Sequence, residues 1–166
     1  MRVEPLDASS HDRQDFDCGR TELNDWLAKY ARQAQASGSA RTFVLTEDGN
    51  AVVGYYALTS HSVDVDAVNA ALAKGLSRYY PIPAVLLSRL AISTDCQRMG
   101  LGERLLADAI RRVTAASEHV GIALLVVDAI DDQAVSFYEK YGFLRWPADG
   151  MRLFARISDI ATTMRT

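Results

Sequence analysis

The segment Gln97-Arg98-Met99-Gly100-Leu101-Gly102 has the residue types and spacing of a phosphate-binding loop. It lies between an apolar run over residues 84–92 and an amphipathic stretch over residues 101–117. Glycine lets the backbone turn closely around an anion, and the free N–H groups at the start of a helix attract negative charge. An isolated G-x-G is more often a plain strand-to-helix turn, and that alternative stays open on these residues alone. The hypothesis is a pyrophosphate-binding loop.

The second chemical candidate is the phenol of Tyr138, because a tyrosine near a helix end can give a proton to a leaving group. On composition alone, a tyrosine on an amphipathic helix is more often a packing residue. Tyr141 is the rival hydroxyl, and Phe137 is expected to pack. No strong general base is predicted, since His61 is a lone histidine at a strand end, near the expected acceptor entrance.

Other aromatic and histidine positions carry weaker expectations. Tyr55 and Tyr56 are adjacent in a strand and should face opposite sides, so that one lines an acceptor pocket while the other packs. His11 and His119 are predicted to lie on the surface. These residues therefore contribute little to the sequence-based hypothesis.

The secondary-structure elements that must position the Gln97–Gly102 loop and Tyr138 are both strands and helices. The first helix should bury a stripe made of Leu23, Trp26, Leu27, Tyr30 and Ala34. A bulge is expected at Gly54, and Gly142 should end the last helix in a left-handed conformation. The strand over 85–92 is apolar enough to be central and buried on both faces. Strands are predicted over residues 2–6, 41–46, 51–63, 85–92, 122–128 and 151–157, and helices over 21–34, 66–73, 101–117 and 131–140.

Composition limits the class of protein. The 166 residues suit one domain, here 1–166, and no apolar run approaches the ~20 residues that cross a bilayer. The N-terminal residues lack the positively charged segment followed by an apolar segment that defines a signal peptide, so we expect a soluble cytoplasmic protein. Cys18 and Cys96 have neither C-x-x-C spacing nor nearby histidines, which predicts no disulfide framework and no metal site. A net charge of −3 argues against strong nonspecific nucleic-acid binding, although a local basic patch remains open.

The order strand, Gln97–Gly102 loop, helix, strand and then Phe137-Tyr138-Glu139-Lys140-Tyr141-Gly142-Phe143 resembles the GCN5-related N-acetyltransferases (GNAT). The loop resembles their R/Q-x-x-G-x-G/A acyl-CoA motif, and the later segment resembles their FYxxxGF motif. Residues 15–19, 23–27, 41–45, 54–58 and 87–92 narrow the resemblance to TacT-type toxins of type II toxin–antitoxin systems, which acetylate aminoacyl-tRNA. The resemblance spans nearly the whole chain.

The resemblance implies an α/β GNAT fold, with a mixed central sheet of about six or seven strands splayed at the acyl-CoA site and about four flanking helices. It implies acetyl-CoA as the co-substrate, with pantetheine on the backbone of one strand and Tyr138 as general acid. The Ile92 N–H would polarise the thioester carbonyl. Asp131 stands where many acetyltransferases carry Asn. The implied cofactor-binding residues are Leu90, Ala91, Ile92, Gln97, Arg98, Met99, Gly100, Leu101, Gly102, Asp131 and Phe137.

The resemblance also implies an acceptor and a partner. The α-amine of an aminoacyl ester is less basic than a lysine, so the missing general base suits it. Arg41, Arg78 and Arg89 are the candidate tRNA-binding cations, with Arg78 next to Tyr79 and Tyr80. A ribbon-helix-helix antitoxin is the expected partner, and a homodimer is left open. The alternatives are acetylation of a protein or small-molecule amine, or a catalytically dead module that binds acyl-CoA or an antitoxin.

Overall fold

The computed structural model describes residues 1–163, and seven strands form one sheet in the order β1-β2-β3-β4-β5-β7-β6. The strands are β1 Arg2–Pro5, β2 Arg41–Thr46, β3 Val52–Val63, β4 Ile82–Ile92, β5 Leu124–Asp128, β6 Leu144–Arg145 and β7 Arg152–Arg156. The α-helices are α1 Thr21–Asp25, α2 Ala31–Ser37, α3 Ala70–Ala73, α4 Leu101–Ala116, α5 Asp132–Lys140 and α6 Ile157–Thr163. The mixed α/β class is confirmed, whereas β6 and α6 were not predicted.

The chain divides into two compact units. The first comprises Met1–Thr59 and Ser88–Ala109, and the second comprises Ser60–Leu87 and residues 110–163. The candidate loop and the end of β4 belong to the first unit. Tyr138 belongs to the second.

The first unit is built on the predicted hairpin of β2 and β3. Its antiparallel pairs run from Arg41 and Leu58 to Thr46 and Val52, and Asp48 Oδ1 accepts the Asn50 N–H at 3.1 Å in the turn. The register shifts between Leu45 and Thr46, beside Gly54, so the expected bulge is confirmed. A Cβ on Gly54 would lie 2.8 Å from Ile92 Cδ1 and 3.2 Å from the Ala91 carbonyl oxygen, so glycine avoids crowding both a side chain and the backbone there.

The first helical stretch contains a π-helical segment, Trp26–Tyr30, between α1 and α2. The buried residues of this stretch are Leu23, Leu27 and Ala31, spaced four apart instead of 3.6. Tyr30 is 57% exposed as a result. Its predicted place in the buried stripe is therefore wrong, because the wider π turn carries the buried face one residue further along the chain.

His11 is buried, which contradicts its predicted surface position. Its Nδ1 accepts the Asp7 N–H at 2.9 Å, and its Nε2 lies 2.8 Å from Glu4 Oε1. The hydrogen bond from His11 lowers the pKa of Glu4. His119 is exposed, as predicted.

The second unit is built on the parallel pairing of β4 with β5, from Ala84 and Leu124 to Leu87 and Val127. Strand β7 runs antiparallel to β5, and β6 pairs with β7. The predicted helix over 66–73 is two short pieces, a 3-10 turn at Val65–Ala67 and α3. Asn69 separates them because it is extended and its side chain caps α3.

Candidate active site

The loop between β4 and α4 contains two residues in left-handed conformations. Arg98 has φ +65° and Gly100 has φ +78°. Left-handed residues in a turn direct successive N–H groups toward one side, and such concavities bind anions. No atom lies within 4 Å of the position that a Cβ on Gly100 would take. The loop therefore has both the backbone shape and the open space that a phosphate requires.

Helix α4 begins directly after this loop. Its first hydrogen bond runs from the Arg104 N–H to the Gly100 carbonyl at 3.2 Å. The N–H groups of the preceding residues have no acceptor inside the helix, which is a general property of helix starts. These donors and the helix dipole favour an anion such as pyrophosphate at this position.

Gln97 ties the loop to its surroundings through its side-chain amide. The Nε2 group donates to the Ile92 carbonyl at 2.9 Å and to the Cys18 carbonyl at 3.0 Å. The Thr94 N–H donates to the Asp17 carbonyl at 2.9 Å nearby. Both amide hydrogens of Gln97 are therefore used within the protein, and its side chain positions the loop.

The end of β4 extends beyond its pairing with β5. The last pair joins Leu87 to Val127, whereas β4 continues to Ile92. Ala91 and Ile92 are buried, but Ser88, Arg89 and Leu90 are only half-buried. The prediction that this strand is central is confirmed by the strand order, but the prediction that it is buried on both faces is wrong, because Val85 and Leu86 are also only half-buried. A strand edge beyond its last pair offers N–H and C=O groups to an extended ligand.

Tyr138 lies near the end of α5 and is only 7% exposed. The Phe137 and Phe143 rings contact it edge-on, with centroids at 5.2 and 5.6 Å. Burial raises the pKa of Tyr138, so the phenol keeps its proton at neutral pH and is a hydrogen-bond donor. Gly142, with φ +94°, ends the helix as predicted.

Phe137 and Asp131 have clear structural roles in the second unit. Phe137 is half-buried, and its ring also contacts Tyr141 at 5.3 Å, which confirms that it packs. Asp131 caps α5, since its Oδ1 accepts the Ala134 N–H at 2.8 Å. Aspartate therefore acts as the N-cap of α5, at a position where many acetyltransferases carry asparagine.

Comparison with known proteins identifies the family. Residues 10–152 match the family described as acetyltransferase (GNAT) domain. The chain belongs to this acetyltransferase family. The expected acyl donor is accordingly acetyl-CoA, and the observed sheet and helix order is that of the GNAT fold.

The chain is also similar to individual members along its whole length. It is 36% identical to a tRNA-acetylating toxin of Mycobacterium tuberculosis, over 92% of this chain and 90% of the relative. The structure of AtaT complexed with acetyl-methionyl-tRNAfMet has a TM-score of 0.86 and 31% identity, with 97% of each chain covered. A tyrosine-to-phenylalanine mutant of the AtaT toxin, bound to the C-terminus of the antitoxin AtaR and to acetyl-CoA, has a TM-score of 0.83 and 30% identity, covering 99% of this chain and 98% of that one.

Tyr55 and Tyr56 of this acetyltransferase are both fully buried. The Tyr55 hydroxyl donates to the Leu23 carbonyl at 2.7 Å, and the Tyr56 hydroxyl donates to Asp108 Oδ2 at 2.6 Å. The expectation that one of them lines an open acceptor pocket is therefore wrong. The buried Asp108 was missed, because its partner is distant in the sequence and α4 otherwise reads as an ordinary amphipathic helix.

The candidate tRNA-binding cations differ in their surroundings. Arg41 and Arg78 are exposed, and so are Tyr79 at 92% and Tyr80 at 73%. Arg89 is half-buried, and its guanidinium carbon lies 4.3 Å from the centre of the Trp26 ring. Arg41 and Arg89 belong to the first unit and Arg78 to the second.

His61 has a partner that the sequence did not reveal. Arg152 binds Asp128 through two hydrogen bonds of 2.7 and 2.9 Å, and its third nitrogen lies 3.2 Å from His61 Nε2. An arginine only donates, so Nε2 of His61 is the acceptor in this contact. The Nε2 atom of His61 is therefore occupied by Arg152.

Across residues 1–163, His, Cys, Asp and Glu side chains form no group of three or more that would hold a metal ion. In the same part of the chain, no helix has the length and apolar character needed to cross a membrane.

Proposed function

We propose that this protein is an acetyl-CoA-dependent N-acetyltransferase that acetylates the α-amine of aminoacyl-tRNA. The observation that carries the proposal is the similarity, over more than 90% of this chain, to a tRNA-acetylating toxin and to AtaT, whose structure is complexed with acetyl-methionyl-tRNAfMet. An acetylated α-amine cannot form a peptide bond, so the consequence would be inhibition of translation in the cytoplasm. Residues 1–166 would serve this activity as one acetyltransferase domain.

The first unit would bind the acyl donor. The backbone of Arg98, Met99 and Gly100 and the start of α4 at Leu101 and Gly102 would hold the pyrophosphate. The end of β4, at Leu90, Ala91 and Ile92, would bind the pantetheine amides with backbone hydrogen bonds. The Ile92 carbonyl already accepts from Gln97, which orients this strand end. Bound acetyl-CoA supplies an activated thioester.

Tyr138 would act as general acid in a direct transfer. The amine nitrogen forms a bond to the acetyl carbon, the carbon–sulfur bond breaks, and the phenol gives its proton to the leaving thiolate. The ammonium proton is lost to solvent, and Tyr138 regains a proton. The buried phenol is protonated when transfer begins, as this role requires. Asp131 and Phe137 would support this region by capping α5 and packing on Tyr138.

The acceptor would be bound by local positive charge, because the whole chain carries a net charge of −3. Arg41, Arg78 and Arg89 are the cations that we assign to tRNA. Tyr79 and Tyr80 would add stacking surfaces beside Arg78, since exposed aromatic rings stack on unpaired nucleotides.

A toxin of this kind requires an inhibitor, and we propose a ribbon-helix-helix antitoxin. The AtaT mutant that binds the C-terminus of AtaR supports an antitoxin tail as the contacting segment. Sedimentation of the protein alone and with a co-expressed upstream gene product would establish whether it forms a homodimer or a complex.

Radiolabelled acetyl-CoA, incubated with the protein and either charged or uncharged total tRNA, tests the proposal. Label should enter charged tRNA only, and mild alkaline release should return it as N-acetyl amino acid. Preferential labelling of a purified protein or small amine would favour the alternative acceptor. Binding of acetyl-CoA without transfer to any of these acceptors would favour the catalytically dead module.

Reversing the charge at Arg78 tests whether this residue contacts tRNA. Arg78→Glu should raise the KM for charged tRNA and flatten its salt dependence, because fewer counterions are released on binding. Arg32→Glu makes the same charge change at another exposed position and is the matched control. An equal effect of both variants would contradict a specific role for Arg78.

A further inference from the structure

Arg89 ends a stack of three side chains in the first unit. Its guanidinium carbon lies 4.3 Å from the centre of the Trp26 ring. Trp26 is nearly parallel to Tyr55, with 9° between the ring planes and 6.0 Å between the centroids. Tyr55 is fully buried, and its hydroxyl is bound to the Leu23 carbonyl one helical turn before Trp26. The cation is therefore held against a ring that is itself fixed to the core.

The charge of Arg89 has no counter-ion among residues 1–163. Its one hydrogen-bonded side chain is Ser88, whose Oγ lies 3.4 Å from Nη1, and no carboxylate pairs with it in the described part of the chain. Desolvation by burial lowers the pKa of Arg89. A guanidinium stacked on an aromatic ring keeps its in-plane N–H donors available, and two parallel donors match the oxygens of a phosphate.

We propose that Trp26 is a positioning residue that holds the Arg89 guanidinium flat as a contact for a phosphodiester at the acceptor end of RNA. This inference rests on the proposed function and deepens it. An RNA phosphate is favoured over a phosphate of the acyl donor, because the loop at Gly100 already supplies backbone donors for pyrophosphate. Arg89 instead adjoins Leu90, in the strand end assigned to the pantetheine arm. The π-helical segment begins at Trp26, and single π turns are frequent at functional sites.

Direct binding of an RNA that cannot be acetylated separates this inference from the proposed function. The probe is an uncharged acceptor-stem minihelix ending in CCA, labelled at its 5′ end, with Kd measured by fluorescence anisotropy. Trp26→Leu should raise Kd by roughly three- to thirty-fold, the range expected for a lost cation–π contact. Trp26→Phe should restore most of the affinity. Arg89→Lys should bind less tightly than the parent, because an ammonium cannot present a planar pair of donors.

A double variant distinguishes positioning from a general structural role. In an Arg89→Gln background, Trp26→Leu should cause no further loss of RNA affinity, whereas independent structural effects would multiply. With charged tRNA, Trp26→Leu should raise KM and leave kcat nearly unchanged. Multiplying losses in the double variant, or an unchanged Kd in both single variants, would overturn the proposal.

The acyl donor provides the remaining control. The Kd for acetyl-CoA should be the same for the parent, Trp26→Phe and Arg89→Lys. A rise in that Kd without a change in RNA affinity would assign Arg89 to a phosphate of the donor and reject the RNA contact. If the minihelix binds as predicted but charged tRNA is not acetylated, the proposed function fails while the Arg89 contact stands.

Discussion

Replacing Gly100 by alanine tests the phosphate loop, and the structure offers a matched control in Gly38. Both glycines have φ +78°, and neither has an atom within 4 Å of an added Cβ. Alanine at either position should cost backbone strain alone, roughly 1–2 kcal/mol. For a chain of this size, each kcal/mol lowers Tm by roughly 2–4 °C. Without a ligand, Gly100→Ala and Gly38→Ala should therefore lose similar stability.

Acetyl-CoA should separate the two variants. A ligand present at a hundred times its Kd stabilises the folded state by about 2.7 kcal/mol, which raises Tm by roughly 5–10 °C. Gly38→Ala should gain as much as the parent. In Gly100→Ala the new methyl group would occupy the space assigned to the phosphate, and a tenfold loss of affinity would halve the stabilisation to about 1.4 kcal/mol.

Thermal melts over a series of acetyl-CoA concentrations, with isothermal titration calorimetry for Kd, measure both effects. If Gly100→Ala and Gly38→Ala both bind acetyl-CoA as tightly as the parent, the loop is not the phosphate site. A similar loss of affinity in both variants would assign the effect to general destabilisation, because Gly38 ends α2 and lies outside the loop.

Substitutions at Tyr138, Gln97 and Asp131, with a control at Tyr141 and a conservative variant at Asp131, have expected outcomes that follow from the described contacts. Tyr138→Phe should keep acetyl-CoA binding but lower single-turnover transfer by roughly 10²-fold or more, while Tyr141→Phe should change little; the reverse pattern would move the acid to Tyr141. Because burial raises its pKa, the Tyr138 phenol should ionise only above the usual tyrosine value of about 10 in an ultraviolet difference titration of the parent against Tyr138→Phe. Gln97→Glu places an oxygen against two carbonyls and should destabilise the fold by about 1–3 kcal/mol in denaturant unfolding, whereas a change within error would remove its positioning role. Asp131→Ala should cost about 1 kcal/mol by the same measurement and Asp131→Asn much less, unless the cap contributes nothing.

Features that depend on neighbouring residues were predictable from the sequence. Asp48 and the glycine after it encode the hairpin turn, Gly142 encodes the end of α5, and the apolar periodicity of residues 101–117 encodes α4. The left-handed Gly100 also follows from local composition. Each of these is set by the conformational freedom or the spacing of a few consecutive residues.

Features that depend on distant contacts were not predictable. The burial of His11 requires Glu4, and the burial of Asp108 in α4 requires Tyr56 from strand β3. The π-helical segment that begins at Trp26 was not predictable either, because the apolar spacing of these residues also fits an ordinary α-helix. The hydrogen bonds by which Gln97 positions the loop were also not predictable, because the two carbonyl groups that accept them belong to Cys18 and Ile92. A single sequence shows the residue types but not these pairings.

The arrangement around His61 bears on how the enzyme would select its acceptor. Because Arg152 occupies Nε2 of His61, we expect the acceptor amine to lose its proton to solvent without help from this imidazole. The reactive neutral fraction then depends on the pKa of the amine. At pH 7 an α-amine with a pKa near 7.7 is neutral several hundred times more often than a lysine with a pKa near 10.4. Without a dedicated base, this difference would favour an aminoacyl ester over a protein lysine by at most that factor, since a neutral lysine is the better nucleophile, before any contact with the tRNA is counted.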